Sequence, residues 1–387
     1  MIERSLFNSD HEAFRDSFAR FIDKEIAPFH ADWEEQGYVD REVWRKAGAN
    51  GFLCMTMPEE FGGAGADKLY SVAQMELLSG GNYSGIGFGL HNEIVAPYIL
   101  RYGTEAQKRK YLPRLASGEM VGAIAMSEPA AGSDLQGVKS TAVRQGDHFL
   151  LNGSKTFITN GWHADLVIVV AKTNPEAGAK GTSLLLVERG MPGFERGKRL
   201  KKVGLKAQDT SELFFDGVEV PADNLLGGAE QLNRGFIALM EQLPWERLQI
   251  AIGAVASMQA TIEQTIAYVN ERKVFGQAVA TYQNTRWKLA ELQTEAQVAR
   301  VFVDKCLDLL LVDKLDTATA SMAKNWCSDL QNKVIDECVQ LFGGYGYMWE
   351  YPVARAWADA RVQRIYGGTN EIMKEVISRS LGLGARK

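Results

Sequence analysis

The sequence predicts an α+β multidomain chain: an N-terminal α-helical domain, a middle, mostly antiparallel β domain and a C-terminal α-helical domain. Two observations carry this. Apolar residues recur three and four apart, give way to short apolar runs near Met120, and return to helical spacing after Gly227. The 387 residues, 46% hydrophobic and 24% charged, supply enough apolar material for two or three cores. The expected domains are residues 1–119, 120–228 and 229–387.

From His11 to about Gly118 the segments HEAFRDSFARFIDKEI and KLYSVAQMELLSG have helical spacing, separated by the Gly-rich breaks GGAGA and GGNYSGIGFG. Between Met120 and Gly227, HFLLNG, ADLVIVVAKT, GTSLLLVERG and SELFFDGVEV are short, apolar or β-branched, and bounded by Gly, Asn or Pro, which predicts strands. PADNLLGG is expected to be a linker. Beyond it, Leu289, Leu292, Ala296, Ala299 and Phe302 share one helix face, with Lys288, Glu291 and Glu295 off it. No internal repeat or low-complexity segment interrupts the order.

The net charge of −5 is spread along the chain, without the basic stripe that a nucleic-acid partner requires. Cys54, Cys306, Cys327 and Cys338 lack CxxC spacing, and the five histidines lack metal-ligand spacing, so neither a disulfide framework nor a metal site is expected. The longest apolar runs, such as LVIVVA, are too short for membrane insertion, and MIERSLFNSDHE has neither a signal-peptide core nor a transit-peptide composition. A soluble, cytoplasmic-type protein is the expectation.

Nucleotide signatures fail. GGAGADK lacks GxGxxG spacing, GAKGTS is not a P-loop, and the serine of AMSEPAAGSDLQG is not within GxSxG. What remains are loops rich in Gly, Ser and Thr. AMSEPAAGSDLQG and NGSKTFITNG put hydroxyls and approachable backbone beside a Met or an aromatic, which suits a flat, polar-edged ring such as a flavin; each is equally readable as a plain hairpin. YGGTNE, Tyr366 to Glu371, precedes an amphipathic run. Its glycines allow a tight turn, Thr369 or Asn370 can cap the helix, and the unpaired N–H groups there can hold an electron-rich ligand. QLFGGYGYMWEYPVARAWADAR is ambiguous on its own.

Together these motifs resemble one family, the acyl-CoA dehydrogenases. SEPAAGSD at Ser127 to Asp134, ITNG, ERKVFG, the residues Gln340, Gly343, Gly344, Gly346, Tyr347, Glu350, Arg355 and Asp359, and YGGTNE fall in family order over essentially the whole chain. The resemblance implies an α domain, a β domain and a C-terminal four-helix bundle with FAD as cofactor. It puts the flavin against Ala125, Met126, Ser127 and Ser133 and against Phe157, Ile158 and Thr159, with Thr369 and Glu371 also beside it. Many members have Trp where this chain has Phe157. Arg272, Phe275, Gln283, Gln340, Gly343 and Gly344 look like the group that a neighbouring subunit contributes to FAD, which implies an oligomer, in this family usually a homotetramer. Electron-transferring flavoprotein is the implied partner, and the mitochondrial matrix the implied compartment for a eukaryotic member.

Many members place the catalytic glutamate at the position of Gly367, which has no side chain to accept a proton. The long-chain and isovaleryl branch carries it on a helix at the start of the C-terminal domain, and the matching residue in ALMEQLPWERLQIAIG is Glu246. Leu243, Trp245, Leu248 and Ile250 make its surroundings apolar, so desolvation should raise its pKa. Pro244 is expected to kink or start the helix, and Arg247, about 100° round it, to face the CoA moiety. Ser133, Pro244, Arg247, Gly367 and Gly368 are the expected substrate-binding residues; Glu371 is the rival base. Gly87 and Gly89 fall where several medium-chain members have larger side chains, which implies a deeper acyl slot. The expected reaction is α,β-dehydrogenation of a medium-to-long-chain acyl-CoA. An isovaleryl-type dehydrogenase, an acyl-CoA oxidase and a catalytically silent CoA-binding subunit are the rivals.

Overall fold

The computed structural model describes residues 2–384, and three bodies follow one another along the chain. The first is helical: α1 (Ser9–Glu25), α2 (His30–Gln36), α3 (Arg41–Ala49), α4 (Lys68–Gly80), α5 (Phe88–Leu90), α6 (Ala96–Tyr102) and α7 (Glu105–Ala116). Asn8 opens α1 by accepting from the amides of Asp10 and His11, and Phe18, Phe21 and Ile22 bury its apolar face. A π-helical turn, His91–Val95, joins α5 to α6 without a break.

The middle body is a seven-stranded sheet of β1 (Gly122–Ala125), β2 (Thr141–Gln145), β3 (His148–Thr159), β4 (Leu166–Lys172), β5 (Thr182–Glu188), β6 (Phe194–Arg199) and β7 (Thr210–Pro221). The order is β1-β4-β2-β3-β7-β6, with β5 also on β4. Most pairs are antiparallel; β4 runs parallel to β1 and touches β2 in parallel at Thr141 and Lys172. All four expected strands form. The three unexpected ones are too short (GAIA) or too polar (TAVRQ, FERGKR) to show in a hydrophobic pattern. Two expectations are corrected. NGSKTF is not a loop but the second half of β3, and PADNLLGG is not a free linker: Leu225 and Leu226 are buried, and the Leu226 amide donates to the Leu184 carbonyl at 2.9 Å.

The last body contains α8 (Gly235–Glu271), a two-stranded hairpin β8 (Lys273–Val274) and β9 (Gln277–Ala278), α9 (Gln283–Leu311), α10 (Thr317–Phe342), α11 (Pro352–Ala360) and α12 (Asn370–Ser380). Leu292, Ala296 and Ala299 are buried in the core of α8, α9 and α10, while Leu289 and Phe302 are half-buried at its margin. Pro244 does not start a helix: α8 begins at Gly235 and runs through it, with Trp245 and Leu248 buried just beyond. Burial of that stretch holds the helix together across the missing amide.

The bodies are locked together. Val72 of α4 enters the α8 core, and Glu76 of α4 accepts from Arg300 of α9 at 2.6 Å and from Arg4 and Arg15 at 3.0 Å. A loop of the β domain packs so close to α11 that a Cβ on Gly204 would lie 2.5 Å from the Ala358 backbone. Among the described residues, no helix is long and apolar enough to cross a membrane.

Candidate active site

Glu246 sits where α6, α8 and the turn before α12 meet. Its Oε1 accepts a hydrogen bond from the Tyr98 hydroxyl of α6 at 3.2 Å, and Oε2 has no hydrogen-bond partner among the described residues. Tyr98 is fully buried, and Glu246 keeps 9% of its surface exposed. Burial pushes the Glu246 pKa up to about 7, against the Tyr98 hydrogen bond and the Arg247 cation, which pull it down. Next to it, the Trp245 indole donates to Glu93 at 3.2 Å. Glu93 lies in the π turn and also accepts from Lys68 at 2.7 Å and Ser71 at 2.6 Å, so the residue before Glu246 is clamped.

Arg247 is buried and turned toward the opposite side. Its guanidinium donates to Ser321 Oγ at 3.1 Å and, at the long limit of 3.5 Å, to the Gly367 carbonyl. Lys324 donates to the Gly368 carbonyl and to Asn370 Oδ1, both at 2.8 Å, and its burial pushes its pKa down to about 8. Arg247 thus lies about the expected turn of helix away from Glu246 and is engaged with protein groups, so that two buried cations hold the two carbonyls of the Gly-Gly turn. The amides of Gly367 and Gly368 donate to no acceptor among the described residues. Thr369 caps α12, accepting from the Ile372 amide at 3.4 Å, whereas Asn370 is buried beneath the turn. Glu371 is exposed in the first turn of α12 and its own backbone hydrogen bond holds it below the usual carboxylate range.

Gly367 has φ +64°, and a Cβ there would lie 2.5 Å from Ile250 Cδ1 of α8. A side chain there would have to adopt a left-handed backbone and displace the Ile250 methyl, so this packing favours glycine on the turn. Gly367→Ala is expected to lose about 1–2 kcal/mol from the left-handed backbone alone, plus the overlap with Ile250. Thermal unfolding checks this against Gly89→Ala, whose Cβ meets nothing within 4 Å.

A second cluster lies at the edge of the sheet. Ala125 ends β1, and the segment after it, with Met126 and Ser127 half-buried, is tied to β3 by the Thr156 amide donating to the Ser127 carbonyl at 3.0 Å. Lys155 donates to the Met126 carbonyl at 3.1 Å and to Glu128 at 2.8 Å, and Glu128 accepts the amides of Lys139 and Ser140. Burial raises the Glu128 pKa, but Lys155 and these amides outweigh it and hold the carboxyl below its usual range. Between Lys155 and Ile158 the β3 register shifts, Phe157 takes φ +59°, and its ring is 69% exposed. A bulky residue in that conformation stores roughly 1–3 kcal/mol, and the bulge turns an aromatic face outward beside Thr159. Ile158 points back into the sheet core. Ser133 is exposed further along the loop.

A third group stands apart: no hydrogen bond or ion pair among the described residues joins it to the second. Phe275, 99% exposed with φ +48°, and Gly276 form the tip of the β8–β9 hairpin. Arg272 stacks 5.5 Å over Tyr345, and exposed Gln283 starts α9. Gln340 lies in the last turn of α10, which is followed by Gly343 and Gly344, whose Cβ positions face open space.

The three segments have known counterparts. Residues 8–119, 123–218 and 233–382 match the family models for the N-terminal, middle and C-terminal domains of acyl-CoA dehydrogenase. The chain belongs to the acyl-CoA dehydrogenase family. It is 54% identical over 380 residues to the mitochondrial long-chain specific acyl-CoA dehydrogenase of Mus musculus, covering 98% of this chain and 88% of that protein. Identity to the mitochondrial isovaleryl-CoA dehydrogenase of Solanum tuberosum is 37% over 382 residues, 97% of this chain and 91% of that one. The crystal structure of acyl-CoA dehydrogenase from Geobacillus kaustophilus matches with a TM-score of 0.96 at 47% identity, covering 98% of this chain and 100% of that one.

As an acyl-CoA dehydrogenase the protein is an FAD-dependent oxidoreductase. The residues present fit that cofactor: an outward-facing aromatic on a strained bulge, flanking hydroxyls of Ser127 and Thr159, and uncovered glycine backbone in the third group. An open groove of about 600 Å³ runs along the first turns of α8, lined by Arg101, Phe236, Ile237, Met240, Pro244 and Thr317. Of the expected substrate residues only Pro244 lines it. Gly87 is corrected as a pocket residue: with φ +83° and a would-be Cβ 2.3 Å from Asn160 Oδ1, its lack of a side chain is dictated by the ITNG turn behind it. Gly89 does border open space. Sequence reasoning missed Tyr98, Lys155, Glu128 and Lys324. Glu128 and Lys155 are oppositely charged residues inside the two flagged loops, which is a signal; Tyr98, 148 residues from Glu246, gives none.

Proposed function

We propose that this acyl-CoA dehydrogenase converts a medium-to-long, straight-chain acyl-CoA to the trans-2-enoyl-CoA, with Glu246 as the base and electrons passing to electron-transferring flavoprotein. One observation carries the assignment of the base: a buried carboxyl with a pKa near neutrality, held by one oxygen only, while the Gly-Gly turn offers no side chain to accept a proton. When bound, FAD accepts the hydride that leaves the β-carbon. Glu246 Oε2 takes the α-proton. The Gly367 amide, on a turn whose carbonyls are held by Arg247 and Lys324, is placed to bond the thioester oxygen as charge develops there. Ser127, Phe157 and Thr159 hold the flavin, and the Phe275 group serves a neighbouring subunit, since a fully exposed strained phenylalanine calls for a partner surface. A homotetramer is the assembly proposed.

Chain length rests on Gly89 and on the identity of 54% with a long-chain relative against 37% with an isovaleryl one. A panel of acyl-CoAs of graded length and branching, assayed with electron-transferring flavoprotein, should give the highest kcat/KM with straight medium-to-long chains. Preference for isovaleryl-CoA would overturn the substrate assignment, and failure of every acyl-CoA to bleach the flavin anaerobically would leave a silent CoA-binding subunit.

A further inference from the structure

Two Tyr–Glu pairs bridge α6 and α8, and they differ in a telling way. Tyr102 donates to Glu241 at 2.7 Å, but Glu241 is exposed and also paired with Arg101 at 3.0 Å, so this bond is a surface staple. Tyr98, one helical turn earlier, is sealed from solvent, and the hydrogen bond to Glu246 is the one its hydroxyl makes among the described residues. A phenylalanine would fill the same space without the cost of burying a hydroxyl, so shape alone does not account for a tyrosine here.

We propose that Tyr98 is a positioning residue for the reaction: its hydroxyl holds Glu246 Oε1, so that Oε2 is the oxygen presented to the α-carbon. This rests on Glu246 being the base. The hydrogen bond favours the ionised carboxylate, the form that removes a proton, and it opposes the desolvation that favours the acid. Around Glu246 the groups bearing on its charge are Tyr98 on α6 and Arg247 on its own helix, with Tyr102 acting on Tyr98. Glu93 and Lys68 reach it only through the Trp245 indole. Of these, Tyr98 is the group in direct contact with the carboxylate.

The test uses FAD-loaded Tyr98→Phe and a second protein with 3-fluorotyrosine at position 98, a stronger hydrogen-bond donor of nearly the same shape. The pH profile of flavin reduction by acyl-CoA is read for both, beside an infrared titration of the Glu246 carboxyl identified by its loss in Glu246→Gln. Tyr98→Phe should move the acidic limb and the carboxyl titration up by about one pH unit, a roughly tenfold lower rate below the limb with recovery above it. The fluorotyrosine protein should move both down. A pH-independent loss, or a limb and titration left in place by both replacements, would overturn the role of Tyr98. Wild-type rates in Glu246→Gln would remove the base assignment itself and this proposal with it.

Discussion

Glu246→Gln is expected to bind FAD and acyl-CoA yet lose at least ~100-fold in the rate of flavin reduction, the low end for removing a general base. Glutamine keeps the size of the side chain and can accept from Tyr98, so the Tyr98 contact and the packing of α8 survive; what disappears is the group that ionises. Wild-type reduction should rise with pH through about 7, because only the ionised carboxylate accepts a proton. For stability the sign is opposite. A carboxyl whose folded pKa lies above its ordinary 4.5 binds its proton more tightly in the native state. That stabilisation is complete below the ordinary range and is lost as pH rises through about 7. The glutamine variant should therefore gain in Tm relative to wild type above neutrality and not in mild acid. Rapid mixing under anaerobic conditions and thermal scans at both pH values check the two halves.

Lys155→Ala is expected to destabilise the protein by about 3–5 kcal/mol, the cost of leaving a buried carboxylate without its cation. Both side chains of the Lys155–Glu128 pair are nearly sealed, at 0% and 5% exposure, so solvent cannot replace the lost partner. The effect reaches the site because Lys155 also holds the Met126 carbonyl at 3.1 Å and precedes the Phe157 bulge. FAD should be retained less well as a result. Pairing Lys155→Met with Glu128→Gln should restore much of the stability, since the charge then disappears together with its partner. Denaturant unfolding of the single and double variants, with flavin content measured in parallel, decides it; a single variant within about 1 kcal/mol of wild type would show that the pair is not structural.

The helix–sheet–helix order was legible because a short, bounded, unbroken apolar run and a period of 3.6 leave different patterns, and LVIVVA and the Leu292–Ala296–Ala299 stripe show one each. Strands β1, β2 and β6 were not, since four alanine- and glycine-rich residues or a run of charges carries no such pattern. The apolar neighbours of Glu246 are visible in the sequence, and the structure buries it as they predict. The partner that holds it is not visible there: Tyr98 sits in PYIL, an ordinary helical run, and only the packing of α6 on α8 brings it to the carboxylate. For Arg247 the sequence shows a charge beside the proposed base but not its protein partners, because only the packing of α8 against the turn before α12 and against α10 brings it to the Gly367 carbonyl and to Ser321. Gly87 was misread because a missing side chain looks the same whether it opens a pocket or lets Asn160 approach.

The central claim, that Glu246 removes the α-proton, is tested most directly by separating proton removal from hydride loss. An acyl-CoA analogue with sulfur in place of the β-carbon retains acidic α-hydrogens and has no β-hydrogen to transfer. Bound to the FAD-loaded protein in deuterated buffer, it should exchange its α-hydrogens in wild type, faster as pH rises through about 7, and exchange at least ~100-fold more slowly in Glu246→Gln. Equal exchange in the two proteins would place the base elsewhere and contradict the account.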